Sequence, residues 1–302
     1  MSSSLLTNSS AMTALQTLRN VSSQLATTQN RISTGMRVST ASDNAAYWSI
    51  ATSMRADNAA LSAVSDSLGL SAATVDTEYT ALTAVVGDNT GGLTKLQALL
   101  VEAKTAGIDR TKIQSDITQI QQQMKATANA ATFNGVNWLS ATATTPATFD
   151  LVSSFSRVGG TPTIGSIQLT IANYSLYTST QSGILDTVSG TASVDTINIS
   201  ALTDSAADQT ILDGYIAQLT TAINSVASAA ADLGAVKNRI STNTEFVKTL
   251  MDSVDRGVGQ LVDADMNAES TRLQALQTQQ QLGVQALSIA NQNSQSILSL
   301  FK

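Results

Sequence analysis

A chain of 302 residues with no histidine, no cysteine and a formal net charge of −6 is poorly furnished for most chemistry. The commonest general base at neutral pH, the nitrogen ligands of zinc, thiol chemistry and disulfides are all excluded, and there is no basic stripe for a phosphate backbone. Apolar residues are plentiful but aromatic ones make up only 4%, which suits close helix packing better than a broad core around a pocket.

Residues 1–10 carry no positive n-region and no apolar h-region, and no run approaches the roughly 18 apolar residues of a membrane span. Neither a cleaved secretory leader nor insertion into a membrane is therefore expected. From Ala11 a helical period begins: Leu15, Leu18, Leu25, Ile32 and Met36 follow steps compatible with a seven-residue repeat, with Ser22 and Gln29 as polar interruptions. So weak a stripe makes an isolated helix marginal and predicts ordering against another copy or against the other end of the chain. Gly35 and the run from Ser39 to Asn44 break the pattern, as a loop whose Ser and Asp residues cap a helix beginning near Ala45.

The second helical region uses Ile50, Met54, Leu61, Val64, Leu68, Val75, Leu82 and Val86, and residues 87–92, rich in turn formers, end it. A further helix runs from Leu93 to about Ala106, and another from Asp109 to about Ala131 with Ile113, Ile117, Ile120 and Met124 in heptad phase. At Phe133 the periodicity changes. Asn134-Gly135 is a strong turn signal because both residues tolerate positive φ, and Val136 to Leu139 reads as the start of a strand. Charges are rare from Ser140 to about Ser200, where Thr163 to Leu169 and Val194 to Ile199 alternate as strands do.

Helix resumes near Ser205 through Ile211, Tyr215, Leu219, Ile223 and Val226. From Asp232 to Lys302 it continues almost without interruption: Leu233, Val236, Ile240, Val247, Leu250, Val254 and Leu261 lead to Leu273, Leu276, Val284, Leu287 and Leu298. Gln280, Asn291 and Ser294 stand where further apolar residues belong. Seventy such residues would span on the order of 100 Å and need a partner along that length. The expected fold is mainly α: long antiparallel coiled-coil-like helices from both termini, with a β-hairpin and a small inserted β-rich domain.

Residues 11–48, AMTALQTLRNVSSQLATTQNRISTGMRVSTASDNAAYW, resemble the N-terminal segment of bacterial flagellins. Phe133-Asn134-Gly135 resembles their helix-to-hairpin transition. Leu233 to Ile240, Asp263-Ala264-Asp265 with Glu269, and Leu298 to Phe301 match the C-terminal pattern in the same order. The resemblance covers about residues 1–140 and 205–302. It implies that 1–43 with 265–302 form the inner core of a helical filament, that 44–140 with 201–264 form its outer core, and that 141–200 face solvent. It further implies a homopolymer outside the cell, exported unfolded by the flagellar export machinery with a chaperone, growing below a cap beyond hook-junction proteins and acting as a propeller. No cofactor is implied.

Under that resemblance Leu15, Leu18, Leu25, Ile32, Leu276, Val284, Leu287 and Leu298 are the candidates for packing, between subunits or only within one. Arg31 either satisfies a carboxylate or carbonyl between subunits or stands solvated. Asn134 and Gly135 set the turn. The segment that in many flagellins binds an innate immune receptor of animals through arginines carries Thr94, Lys95, Gln97 and Ala98 here, and a lysine lacks the planar fork of arginine. Weak recognition is expected.

The inserted metallopeptidase of some relatives is impossible without histidine. Asp204 with Asp208, and Asp252 with Asp255, lack a nucleophile or ligand set and read as solvated or capping carboxylates. Asn173-Tyr174-Ser175 and Asn198-Ile199-Ser200 fit a glycosylation pattern too common to select a site. A hook–filament junction protein and a secreted coiled-coil adhesin are the competing readings.

Overall fold

The computed structural model describes residues 8–87, 91–142, 145–158, 161–188, 190 and 192–299, with side chains described except at 158 and 293–299. Leu5, Leu6, the turn residues 88–90 and Phe301 lie outside the described residues, as do the side chains of Ser294 and Leu298. The chain divides into two compact units, one of residues 1–59 with 251–302 and one of residues 60–250.

In the first unit α1 (Ser9–Thr34) opens on an Asn8 cap whose side chain accepts from the Ala11 N–H at 3.0 Å, and closes on Gly35 in the left-handed region at φ 69°. Its buried line runs through Val21 and Thr28, with Leu18, Leu25 and Ile32 half-buried beside it. The sequence reading placed Ser22 and Gln29 on the stripe. Both are exposed, because the steps of three and four from Leu18 pass through Val21 and Thr28.

The C-terminal stretch, expected to be helix almost without interruption, is two helices, α5 (Ala206–Val262) and α6 (Met266–Ser299). The break at 263–265 has two causes. Asp265 Oδ1 accepts from the N–H groups of Asn267 and Ala268 at 2.9 and 3.2 Å, which starts a new helix. The segment after Gly35 competes for the backbone: Arg37 N donates to Val262 O at 2.6 Å, Ala264 N to Gly35 O at 2.9 Å, and Met36 and Asp263 form an antiparallel bridge. Val38, Ala51, Val258 and Val262 bury around this joint with Met36, Met54, Val254 and Leu261 packed on them. Asn44 caps α2 (Ala45–Val86) by accepting from the Tyr47 N–H at 3.1 Å. Asp43 instead gathers the N–H groups of Thr40 and Ser39 at 2.9 and 3.0 Å, which hold its carboxyl below the ordinary carboxylate value.

The second unit takes residues 60–86 of α2 and 206–250 of α5 with α3 (Gly92–Ala103) and α4 (Arg110–Ala130). Gly92 sits at φ 71°, where a Cβ would meet Val85 O at 2.5 Å, so only glycine lets the chain turn this closely. Leu68, Leu82, Leu93, Leu96, Leu100, Ile117, Leu212, Leu219, Val226 and Leu233 are buried in the bundle, with Glu78 buried among them on α2. At its surface Lys237 of α5 pairs with Asp76 of α2 and lies 5.7 Å over the Tyr79 ring.

Beyond α4, Asn134 (φ 50°) and Gly135 (φ 78°) occupy the left-handed region, and Phe133 and Val136 exchange both backbone hydrogen bonds at 2.9 Å. This is a two-residue turn. The strand expected from Val136 reduces to β1 (Ser140–Ala141), paired in parallel with β4 (Tyr177–Thr178). The principal hairpin is farther on, β2 (Thr148–Val158) antiparallel to β3 (Thr161–Thr170), with a register irregularity between Val152 and Ser154. Val194 to Ile199 is not a strand. Residues Val194–Thr196 form a 3₁₀ turn closed by the reciprocal Ser193 and Thr196 caps, and the Val194 and Ile197 carbonyls are taken by Gln121 Nε2 at 2.9 and 3.2 Å.

Candidate functional site

The residues singled out for packing lie on α1 and α6. Three contacts set the relation of these helices: Asn8 Nδ2 donates to Ala290 O at 2.9 Å, Gly283 lies against Leu18, and Arg31 Nη1 donates to Glu269 Oε1 at 3.1 Å. As one number rises the other falls, so the helices are antiparallel. Their pairing is polar at both ends.

The packing candidates whose side chains are described fall into three groups. Leu276 is 4% exposed, its apolar surface already spent inside the chain. Leu18, Leu25, Ile32 and Leu287 are half-buried, while Leu15 and Val284 are exposed, Val284 at 54%. Sequence reading missed three further open apolar side chains, Met12 on α1 and Leu282 and Ile289 on α6, each more than half exposed. Their signal was present: Leu282 and Ile289 are seven apart and flank the chosen stripe. They fell outside it because a single-stripe template assigns one apolar face to each helix, whereas α6 carries two.

Arg31 is partnered within its own chain. Glu269, 8% exposed, accepts from Arg31 and has Arg272 Nη1 at 3.8 Å, while its Oε2 is buried without a hydrogen-bond partner. A groove of about 500 Å³ beside this pair is lined by Ser23, Gln24, Thr27, Arg31, Arg272 and Gln279 among others. It is polar, and its lining holds no Asp or Glu to serve as a general base for the Ser and Thr hydroxyls there. Among the described residues no group of three or more His, Cys, Asp or Glu side chains is placed to hold a metal, and no helix is long and apolar enough to cross a membrane.

The remaining candidates lie in the second unit. Thr94, Lys95, Gln97 and Ala98 lie on α3, where Gln97 Nε2 donates to Thr220 Oγ1 of α5 at 3.0 Å and Ala98 is exposed. Asp204 and Asp208 are structural: Arg110 holds the Asp204 carboxyl below its ordinary value, and Thr203 does the same for Asp208. Nothing here arranges an acid, a base and a substrate space together. What the geometry offers is a long two-helix surface with apolar side chains left uncovered.

The ends of the chain match known proteins. The family model of the bacterial flagellin N-terminal helical region matches residues 5–144, and that of the C-terminal helical region matches residues 216–301. Flagellin C of Rhizobium meliloti (strain 1021) is 42% identical over 327 residues, covering 99% of each chain. Flagellin A of the same strain is 39% identical over 400 residues, covering 99% of this chain and all of its own. The flagellin of Brucella melitensis is 44% identical over 300 residues, again covering 99% of both.

Proposed function

The chain belongs to the bacterial flagellin family, and from that premise we propose that it is a structural subunit of the flagellar filament, assembling with many copies of itself through its two terminal helices. The observation that carries this reading is the antiparallel α1 and α6 pair, which leaves Met12, Leu15, Leu282, Val284 and Ile289 uncovered. Side chains on different sides of one helix pair give heterologous contacts, and heterologous contacts that do not close generate a helical polymer. In this reading 1–43 and 265–302 form the inner core, 44–140 and 201–264 the outer core, and 141–200 face solvent. The polymer lies outside the cell. Its subunits pass through the flagellar export machinery unfolded, with a chaperone, and add below a cap beyond the hook-junction proteins.

The test is electron microscopy of purified subunits after seeding, comparing the intact chain with one lacking residues 1–40 and 265–302. Long helical filaments are expected from the intact chain alone. Monomers or short capped oligomers from the intact chain, despite competent seeds, would overturn the reading in favour of a junction protein or adhesin.

The α3 segment bears on a second partner. With Lys95 as its sole basic side chain among Thr94, Lys95, Gln97 and Ala98, it offers one point charge where receptor-binding relatives offer arginine forks. Binding to the innate immune receptor is therefore expected to be weaker by an order of magnitude or more than for a strongly recognised flagellin. Comparable affinity in a surface-immobilised binding assay would refute this.

A further inference from the structure

One acid of the second unit is fully buried. Glu78 lies on the inward face of α2, in line with Ser71, Val75, Leu82 and Val85, and is 0% exposed. Its Oε1 accepts the backbone N–H of Trp138 at 2.9 Å, at the point where the chain leaves the Asn134-Gly135 turn. Its Oε2 is buried with no hydrogen-bond partner, and so is the Trp138 indole Nε1. An ionised carboxylate wants donors on both oxygens or a cation beside it, and burying it without them costs far more than burying the one unpaired hydroxyl of the neutral acid.

Among the described residues no cation pairs with Glu78. On α2, Asp76 is taken by Lys237 of α5, whose ammonium also covers Tyr79. On α4, Lys125 pairs with Asp195 at 3.1 Å and lies 5.6 Å over the Tyr177 ring. Tyr174, whose ring lies 6.4 Å from that of Trp138, and Tyr177 are both pushed above the ordinary tyrosine value, by burial first. Asp232 adds to the effect at Tyr174, and Asp195 and Asp186 add to it at Tyr177. Among the described residues none of these groups forms an ion pair or hydrogen bond with Glu78.

We propose that Glu78 is held as the neutral carboxylic acid in the folded subunit, so that folding of the second unit takes up a proton and is favoured by mild acidity. Burial raises its pKa from 4.5 to about 7, and the single Trp138 N–H bond opposes this without cancelling it. Below 4.5 the acid is protonated in both states and folding carries no penalty. Between 4.5 and about 7 folding binds a proton, and above that window the folded state bears the whole cost of a buried charge or of withholding it from water. The folding equilibrium constant therefore falls by about two to three orders of magnitude across the window from this group alone.

The experiment is urea unfolding of the full-length monomer and of Glu78→Gln at a series of pH values from 5 to 8. Glutamine keeps the carbonyl that accepts from Trp138 and cannot ionise. The expected result is a wild-type folding constant that drops about 70-fold more than that of the variant between the two ends. Parallel profiles would overturn the proposal. Should the variant fail to fold, the wild-type carboxyl is titrated directly by carbon NMR with labelled glutamate. A Glu78 resonance that titrates near or above 6.5 supports the proposal, and one that titrates below 5 refutes it.

Discussion

Replacing Arg110 with alanine is expected to cost the second unit about 3–4 kcal/mol, since two charge-assisted bonds to carbonyls at roughly 1.5–3 kcal/mol each disappear. Arg110 is the first residue of α4 and 7% exposed. Its Nε donates to Ala103 O at 3.0 Å, closing the end of α3, and its Nη1 donates to Leu202 O at 3.1 Å, fixing the chain just before α5. Its Nη2 donates to Asp204 Oδ1 at 2.6 Å, and Asp204 Oδ2 accepts the Gly107 N–H at 3.2 Å. One guanidinium thus ties three helix ends. The Asp204 carboxylate is half exposed, so its share is screened and adds little to the figure. That share, which rests on a depressed carboxyl pKa, is present above the ordinary carboxylate range and lost as acid protonates the group. Lysine has one nitrogen and cannot serve three acceptors, so Arg110→Lys should recover less than half of the loss. Urea unfolding of both variants is the measurement; a cost under about 1 kcal/mol for Arg110→Ala would show that water replaces the guanidinium, as it replaces an exposed pair.

Removing Arg31 is expected to cost the first unit about 2–3 kcal/mol, below the roughly 3–5 kcal/mol of a fully buried pair because Arg31 keeps 27% of its side-chain exposure. The loss leaves Glu269 as a nearly buried carboxylate, with Arg272 too far, at 3.8 Å, for a good hydrogen bond. Because this pair joins α1 to α6, the damage should fall on both helices together. Hydrogen exchange should show the amides of 20–34 and 266–278 opening in Arg31→Met while those of 93–130 remain protected. Removing both charges, in Arg31→Met with Glu269→Leu, should restore most of the protection, since the cost lies in the orphaned charge and not in the absent attraction. If the double variant opens as far as the single one, the pair is an attractive clamp in its own right.

How much of this was legible beforehand depends on the range over which each feature is decided. The helices from Ala45, Leu93 and Asp109 were readable because periodicity and caps act within a few residues, and the structure places them at Ala45–Val86, Gly92–Ala103 and Arg110–Ala130. The Asn134-Gly135 dipeptide stood out for the same local reason, since few other residue pairs accept two positive φ angles. Val194 to Ile199 misled because its alternation is real but its carbonyls are claimed by Gln121, more than seventy positions away. The uncovered Leu282 and Ile289 were overlooked because a stripe names residues that want burial without saying which of them the fold will bury.

By itself the sequence determined the helical class, the absence of histidine and thiol chemistry, and the likeness of both ends to one family, all properties of composition and local spacing. Tertiary structure alone decided the break at 263–265. Asp265 can cap a helix there, but whether the chain stops depends on the segment after Gly35 arriving to take the Val262 carbonyl. It also decided the partner of Arg31 and the condition of Glu78. A charge is neutral, paired or costly according to what surrounds it in space, and for both residues those surroundings come from parts of the chain 60 and 238 positions away.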